Sequence, residues 1–416
     1  MRLTSEEREI AAGAQGPARA MAMRIVAEAG SLLGADCLIP IHSAHIDGCL
    51  YHGDSGVLFA ERLVEQGGRV AVPSTLNVGA LDLLHPNRVK LDSHRRTMAL
   101  RLMRAYEALG CKPTWTCSPY QAGHRPPLGV DVAWGESNAV AFCNSVLGAR
   151  TNRYGDFLDI ACAIIGRAPR YGLHLPENRR ATLLLDTIRL SERLRSLDAF
   201  WPVLGAWIGR TAGNRVVAVN GLQQFATEDR MKALGAAAAS FGAVGLFHII
   251  GVTPEAGTTD EAFAGLPPKE TVVLTPDMVR TARSWLGTAS GETVDAVAVG
   301  SPHLSYDEMA TIADLLAGRR VTLPFYAHTG RHVVRQLEAS GRLREIEAAG
   351  VTIVTDTCIV VTPILPGNSG VLLTNSGKFA NYVPGNTGWY VVYGSLKECI
   401  ETAVRGKLVR NEELWS

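Results

Sequence analysis

Short apolar runs alternate along this chain with segments whose apolar residues recur at helical spacing, which predicts strands alternating with amphipathic helices. Residues 68–73 read as a strand entering the loop Ser74-Thr75-Leu76-Asn77-Val78-Gly79. Residues 98–109 read as a helix, with Met98, Leu102, Ala105, Tyr106 and Leu109 on one face and Gly110 as its stop. Residues 231–240 read as a buried helix running into a buried strand over 244–250. Thr275-Pro276 has the form of an N-cap followed by proline in the first turn. A strand over 295–299 ends in Gly300-Ser301-Pro302-His303. Ser305-x-x-Glu308 then makes a capping box for a helix through Leu316. Further strands are expected at 351–354, 371–374 and 389–393. The whole pattern is that of an α/β protein, and its strands end in loops rich in Ser, Thr, Asn, His or Cys. Ligands bind at the carboxyl ends of strands in such sheets, so these loops are expected to converge on one site.

No internal repeat or low-complexity linker divides the chain. A tentative subdivision into 1–204 and 205–416 follows the polar stretch 191–198 and the segment 205–214.

The 416 residues are 47% hydrophobic and 19% charged, ample for a large core. A formal net charge of +1 suggests no nucleic-acid partner. The first residues are polar, with no apolar signal core. The longest apolar stretch, 234–252, is built of Ala and Gly and includes Ser240 and His248, so no membrane span is expected. Eight cysteines in a chain of this length do not form a disulfide framework, and a cytoplasmic location with reduced thiols is the expectation.

The dinucleotide fingerprint, the phosphate loop, the nucleophile elbow and the H-E-x-x-H zinc motif are all absent. Three cysteines lie where strand-like runs give way to loops: Cys117 in Thr116-Cys117-Ser118-Pro119, Cys143 in Phe142-Cys143-Asn144-Ser145, and Cys358 in Asp356-Thr357-Cys358. Each has the setting of an iron–sulfur ligand, although buried cysteine is more often an inert hydrophobe. Ser43 and His45, in His42-Ser43-Ala44-His45-Ile46-Asp47-Gly48, offer donors for a substrate, as do Thr75 and Asn77. Arg150 and Arg153 have two readings, a fork for a carboxylate or an ion pair with Glu136. Ser376 and Lys378, in Thr374-Asn375-Ser376-Gly377-Lys378-Phe379, are the candidate catalytic pair.

These strings, together with Trp134-Gly135-Glu136-Ser137-Asn138 and Asn144-Ser145-Val146-Leu147-Gly148-Ala149-Arg150, resemble the aconitase X family over nearly the whole chain. The resemblance implies aconitase-like α/β/α sandwiches around a central iron–sulfur site, in an iron–sulfur-dependent hydro-lyase. Its substrate would be either cis-3-hydroxy-L-proline or mevalonate 5-phosphate. A string with cysteine before Pro-His goes with the second substrate, and Ser301 stands at that place here. This departure favours cis-3-hydroxy-L-proline and a [2Fe-2S] cluster on Cys117, Cys143 and Cys358, with [3Fe-4S] or [4Fe-4S] as the alternatives. His303, beside Ser301, joins the substrate-binding candidates. The resemblance also implies a small swivelling domain, which this chain lacks and which is expected as a separate subunit. A non-catalytic ligand-binding subunit of the same fold is the competing reading.

Overall fold

In the computed structural model, which describes residues 1–415, three parallel sheets follow one another along the chain. The first is small: Ala44–Ile46 lies between Ser74–Leu76 and Ala133–Trp134, with His45 opposite both Thr75 and Trp134. The second has the order Phe247–Ile249, Val217–Asn220, Leu183–Asp186, Glu270–Val273. The third has the order Val351–Val354, Phe325–Thr329, Ala296–Leu304, Val371–Thr374, Tyr390–Tyr393. A separate antiparallel pair joins Leu38–Pro40 to Arg167–Pro169. Residue 204 lies inside the helix Phe200–Ala212, and the second sheet takes strands from both sides of it.

Helices fill the crossovers between parallel strands, as parallel pairing demands. The helix around residues 98–109 runs Ser93–Ala108, begins under the side chain of Asp92, and is followed by Gly110 at a φ of +94°. Capping boxes open Ser5–Ala12, Tyr306–Leu316 and Leu396–Arg405. Thr275 caps Pro276–Ser284 as its Thr-Pro pair predicts. Helices Phe200–Ala212 and Glu228–Gly242 pack backbone to backbone. A Cβ on Gly205 would meet the Leu234 carbonyl oxygen at 2.2 Å, and one on Gly242 would meet that of Gly209 at 1.7 Å.

The expected strand at 68–73 does not form, and the pairing begins at Ser74. Val70 N–H bonds Leu109 and Ala71 N–H bonds Ala163, so this segment is tied to two different neighbours rather than to one ladder.

Strand Ala296–Leu304 is buried along its whole length and alternates between two cores. Ala296 and Ala298 join the large core that also contains Val26, Phe200 and Val217. Val297 and Val299 face a second core with Met309, Leu337 and Cys399. This period-two alternation makes the third sheet's inner face part of one continuous interior with the rest of the chain. The strand ends of the first and third sheets are thereby held against each other. No helix among the described residues is long and apolar enough to cross a membrane.

Candidate active site

The polar centre of the molecule is built from loops at the carboxyl ends of strands in the first and third sheets. Strand Ala44–Ile46 presents His45 and then Asp47. Ser74–Leu76 carries Thr75 and leads to Asn77, and Ala133–Trp134 leads to Glu136. From the third sheet come His303, Cys358, Ser376 and Lys378.

The two cysteine loops meet at His303. Its backbone N–H points at Cys117 Sγ over 3.3 Å. Its ring Nε2 donates to the Thr357 carbonyl oxygen at 3.4 Å, so Nδ1 is the acceptor facing the Thr116 hydroxyl at 3.0 Å. The neutral ring is thus a strut between the residue before Cys117 and the residue before Cys358. With both nitrogens engaged and no exposure, His303 has no free edge for a substrate, contrary to its expected role. Burial pushes both thiols up, Cys358 to about 12 with the nearby Cys117 contributing, while the Lys378 charge opposes the shift at each.

The Cys358 loop is fixed by charge. Asp356, at a φ of +63°, is held by a two-pronged Arg331 pair at 2.6 and 2.7 Å, and the Leu83 N–H donates to the same carboxylate. Asp82, wholly buried, receives the Thr355 hydroxyl at 3.1 Å and lies 3.6 Å from Arg88.

Beside the thiols, Lys378 Nζ donates to Glu136 Oε1 at 2.5 Å and to Asn138 Oδ1 at 2.7 Å. Asn138 in turn donates to the Cys117 carbonyl oxygen at 2.7 Å. The pair holds Glu136 down at about 2, against the desolvation that would raise it, and holds Lys378 protonated. Lys378 is therefore a fixed positive charge rather than a base. Asn77 Nδ2 donates to both Glu136 Oε2 at 2.9 Å and Asp47 Oδ1 at 2.5 Å.

A second network lies against Trp134. Ser43 Oγ, His124, Thr75 Oγ1 and His45 Nδ1 form a hydrogen-bonded chain with steps of 2.8, 2.7 and 2.9 Å. His45 Nε2 is buried without a partner. Desolvation lowers His45 to about 3, with the nearby His124 acting the same way. A depressed histidine contributes stability that is present above its unfolded value of 6.5 and is lost as pH falls toward 3. Between pH 6.5 and 5, His45 alone should remove about 2 kcal/mol. Urea midpoints at the two pH values should therefore fall further apart in the parent than in His45→Gln. Equal differences would show that His45 is already charged in the fold.

Three further expected roles are not met by the geometry. Cys143 sits in the helical turn after Ser137–Phe142, wholly buried in an apolar cluster with Tyr120, Phe142 and Ala149. Burial raises its thiol, and the Arg179 charge opposes the shift. Among the described residues no group of three or more His, Cys, Asp or Glu side chains is placed to hold a metal ion. Arg150 makes no pair with Glu136; its Nε is buried without a partner, and it is Arg153 whose charge reaches Glu136. Ser376 caps the helix Gly377–Thr387, accepting from Phe379 N–H at 3.0 Å and donating to the Ser301 carbonyl oxygen, so its hydroxyl is already engaged. Sequence reading passed over His124, whose loop carries no cue of its own, and left Asp47, Glu136 and Asn138 outside the site although they stand in its motifs.

The chain matches the aconitase X first domain over residues 1–177, the second domain over 183–284 and the third domain over 294–405. It is 41% identical to the cis-3-hydroxy-L-proline dehydratase of Pseudomonas aeruginosa, over 100% of this chain and 72% of that one. The enzyme of the same name from Hypocrea jecorina is 38% identical, over 97% and 69%. The phosphomevalonate dehydratase large subunit of Methanosarcina mazei is 35% identical over 98% of both chains. The crystal structure of Thermococcus kodakaraensis aconitase X in its holo-form superposes with a TM-score of 0.86 at 34% identity, covering 97% of this chain and 100% of that one. With all three domains matched in order and the α/β architecture shared, the chain belongs to the aconitase X family.

Proposed function

We propose that this protein is a hydro-lyase that dehydrates cis-3-hydroxy-L-proline to Δ1-pyrroline-2-carboxylate. The observation that carries the reading is the full-length identity of 41% to a cis-3-hydroxy-L-proline dehydratase, above the 35% shared with a phosphomevalonate dehydratase large subunit. The site agrees with a small zwitterionic substrate: one fixed cation, Lys378, lies among hydroxyl, amide and carboxyl groups.

The donor chemistry fits an iron–sulfur cluster in part. Cys117 and Cys358 are buried thiols, Cys117 adds to the burial that raises Cys358, and a backbone N–H is aimed at the Cys117 sulfur, the kind of contact that tunes cluster ligands. These two residues would hold the cluster, and the [2Fe-2S] form that the family resemblance favours is tested by iron and sulfide counting. When bound, the cluster would supply a Lewis acid for the 3-hydroxyl. The protein's own part is to fix charge. Lys378 offsets the negative charge that builds on the substrate carboxylate as the C2 proton leaves, while Asn77 holds Asp47 and Glu136 in place and Thr75 holds His45 and His124.

A separate small subunit completing the site is part of this reading. It is supported by the coverage, which reaches 98% for a protein named a large subunit but 72% and 69% for the two cis-3-hydroxy-L-proline dehydratases. Free buried thiols suit the cytoplasm.

The test is anaerobic purification, with and without any co-expressed small chain, followed by assay of both substrates. Turnover of cis-3-hydroxy-L-proline, with none of mevalonate 5-phosphate, is expected. Turnover of the phosphate ester alone would sink the reading, as would tight binding of either compound with no turnover.

A further inference from the structure

The carboxyl pair around Asn77 is unequal. Glu136 is fully engaged: Oε1 accepts from Lys378, Ser137 and the Asn138 N–H, and Oε2 accepts from Asn77. Asp47 shares only the Asn77 amide, through Oδ1. It is partly buried, and its Oδ2 has no hydrogen-bond partner among the described residues.

The loop that carries Asp47 is held from behind. Asp159, wholly buried on the helix Leu158–Ile165, accepts the backbone N–H groups of Asp47 at 2.7 Å and Gly48 at 3.1 Å. A Cβ on Gly135 would meet the Asp47 Cβ at 2.7 Å, so the neighbouring strand end must be glycine for Asp47 to keep its place. The charges that face Asp47 are Glu136, Asp156 and, as the one cation, Lys378.

Two carboxyl groups sharing one amide do not both ionise readily at neutral pH. Lys378 settles which of them does, because it is hydrogen-bonded to Glu136 and not to Asp47. Desolvation, with the Glu136 charge, accordingly raises Asp47 to about 7. Asp47 is thus a carboxyl that carries a proton near neutrality, with one oxygen free, in the midst of the site.

We propose that Asp47 is the acid that protonates the departing hydroxyl of the substrate. The assignment rests on the dehydratase reading above. In that reaction the C2–H bond breaks and its electron pair becomes the C2=C3 bond, while the C3–O bond breaks and the oxygen keeps its pair. The C2 proton passes to a basic oxygen, water or an ionised hydroxyl, and from there to solvent. Asp47 gives its proton to the departing oxygen, which leaves as water, and the Asp47 carboxylate is reprotonated from solvent for the next turnover. Asn77 and Glu136 are positioning residues for this step, since they hold Asp47 and its proton in place.

Asp47→Asn keeps the size and the bond to Asn77 but has no proton to give. Dehydration of cis-3-hydroxy-L-proline should fall by about 100-fold or more, in the range usual for loss of a general acid. Exchange of the substrate C2 proton with deuterated water should persist, because proton removal does not need the acid. In the parent, the rate should fall as pH rises through about 7. Burial also raises Asp159 to about 8, so the infrared titration is read as the difference between parent and Asp47→Asn, which should show one protonated carboxyl band that disappears through the Asp47 range. Parallel loss of exchange and dehydration would overturn the assignment, as would retained activity in Asp47→Asn. If the parent does not act on cis-3-hydroxy-L-proline, the substrate reading fails. The infrared titration then decides on Asp47 alone, its band supporting the protonated carboxyl and its absence refuting it.

Discussion

Cys358→Ala is expected to remove the visible iron–sulfur absorbance and the dehydratase activity together. The loop that bears this thiol is over-determined: Asp356 is clamped by Arg331, Thr355 is bound to Asp82, and Thr357 is joined to His303. Removing one sulfur atom from so braced a loop leaves the backbone where it is, so a loss of iron will report on the sulfur itself. The thiol has no other evident work, because burial pushes it up to about 12 and a neutral thiol is a poor nucleophile. Metal analysis and the visible spectrum of anaerobically purified protein are the readouts, with a urea midpoint to show that the fold is kept. An unchanged spectrum would refute the assignment. Cys143→Ala is the matched control. Its sulfur lies in an apolar cluster away from the pair, so iron content should be retained, and loss of iron would restore Cys143 as a ligand.

The second large effect is expected from the buried ion pair. Glu136→Gln leaves Lys378 charged with no counter-charge, and Lys378→Met leaves the Glu136 carboxylate equally exposed to its own desolvation. Removing one partner of a buried pair costs about 3–5 kcal/mol, whereas replacing both can be nearly neutral. Each single variant should therefore lower the urea midpoint sharply, and Glu136→Gln combined with Lys378→Met should recover most of the stability. Activity should not recover with it. In the proposed mechanism the charge on Lys378 offsets the negative charge formed as the C2 proton leaves, and loss of such a group costs about 100- to 1000-fold in rate. Additive stability losses would show that the pair is not coupled as its 2.5 Å contact implies. A double variant with parent activity would remove Lys378 from the chemistry.

Both predictions turn on contacts between residues remote in sequence. Glu136 and Lys378 are 242 positions apart, and His303 and Cys117 are 186 apart. In the sequence, Lys378 reads as a candidate catalytic residue, able to bind a carboxylate or move a proton. Its role as a fixed cation exists only because Ala133–Trp134 ends where Gly377–Thr387 begins. His303 reads as a ligand for substrate, but its neighbours in space, Thr116 and Thr357, use both of its nitrogens. His124 gives no signal in sequence because its partners, Ser43 and Thr75, come from other strands.

What the chain determined by itself is local. The Ser305 and Thr275 caps, the stop at Gly110 and the alternation of strands with helices follow from nearest-neighbour hydrogen bonding and side-chain period, which need no tertiary partner. The motifs also named most of the loops that carry polar chemistry, since such loops must follow strands. Only the tertiary structure decided which of their side chains meet. It brought Cys117 and Cys358 together and left Cys143 in a separate apolar cluster, and it gave Glu136 a cation while leaving Asp47 with one free oxygen. The physical reason is that burial and neighbouring charge, not residue type, set whether a thiol or carboxyl is inert, paired or able to hold a proton.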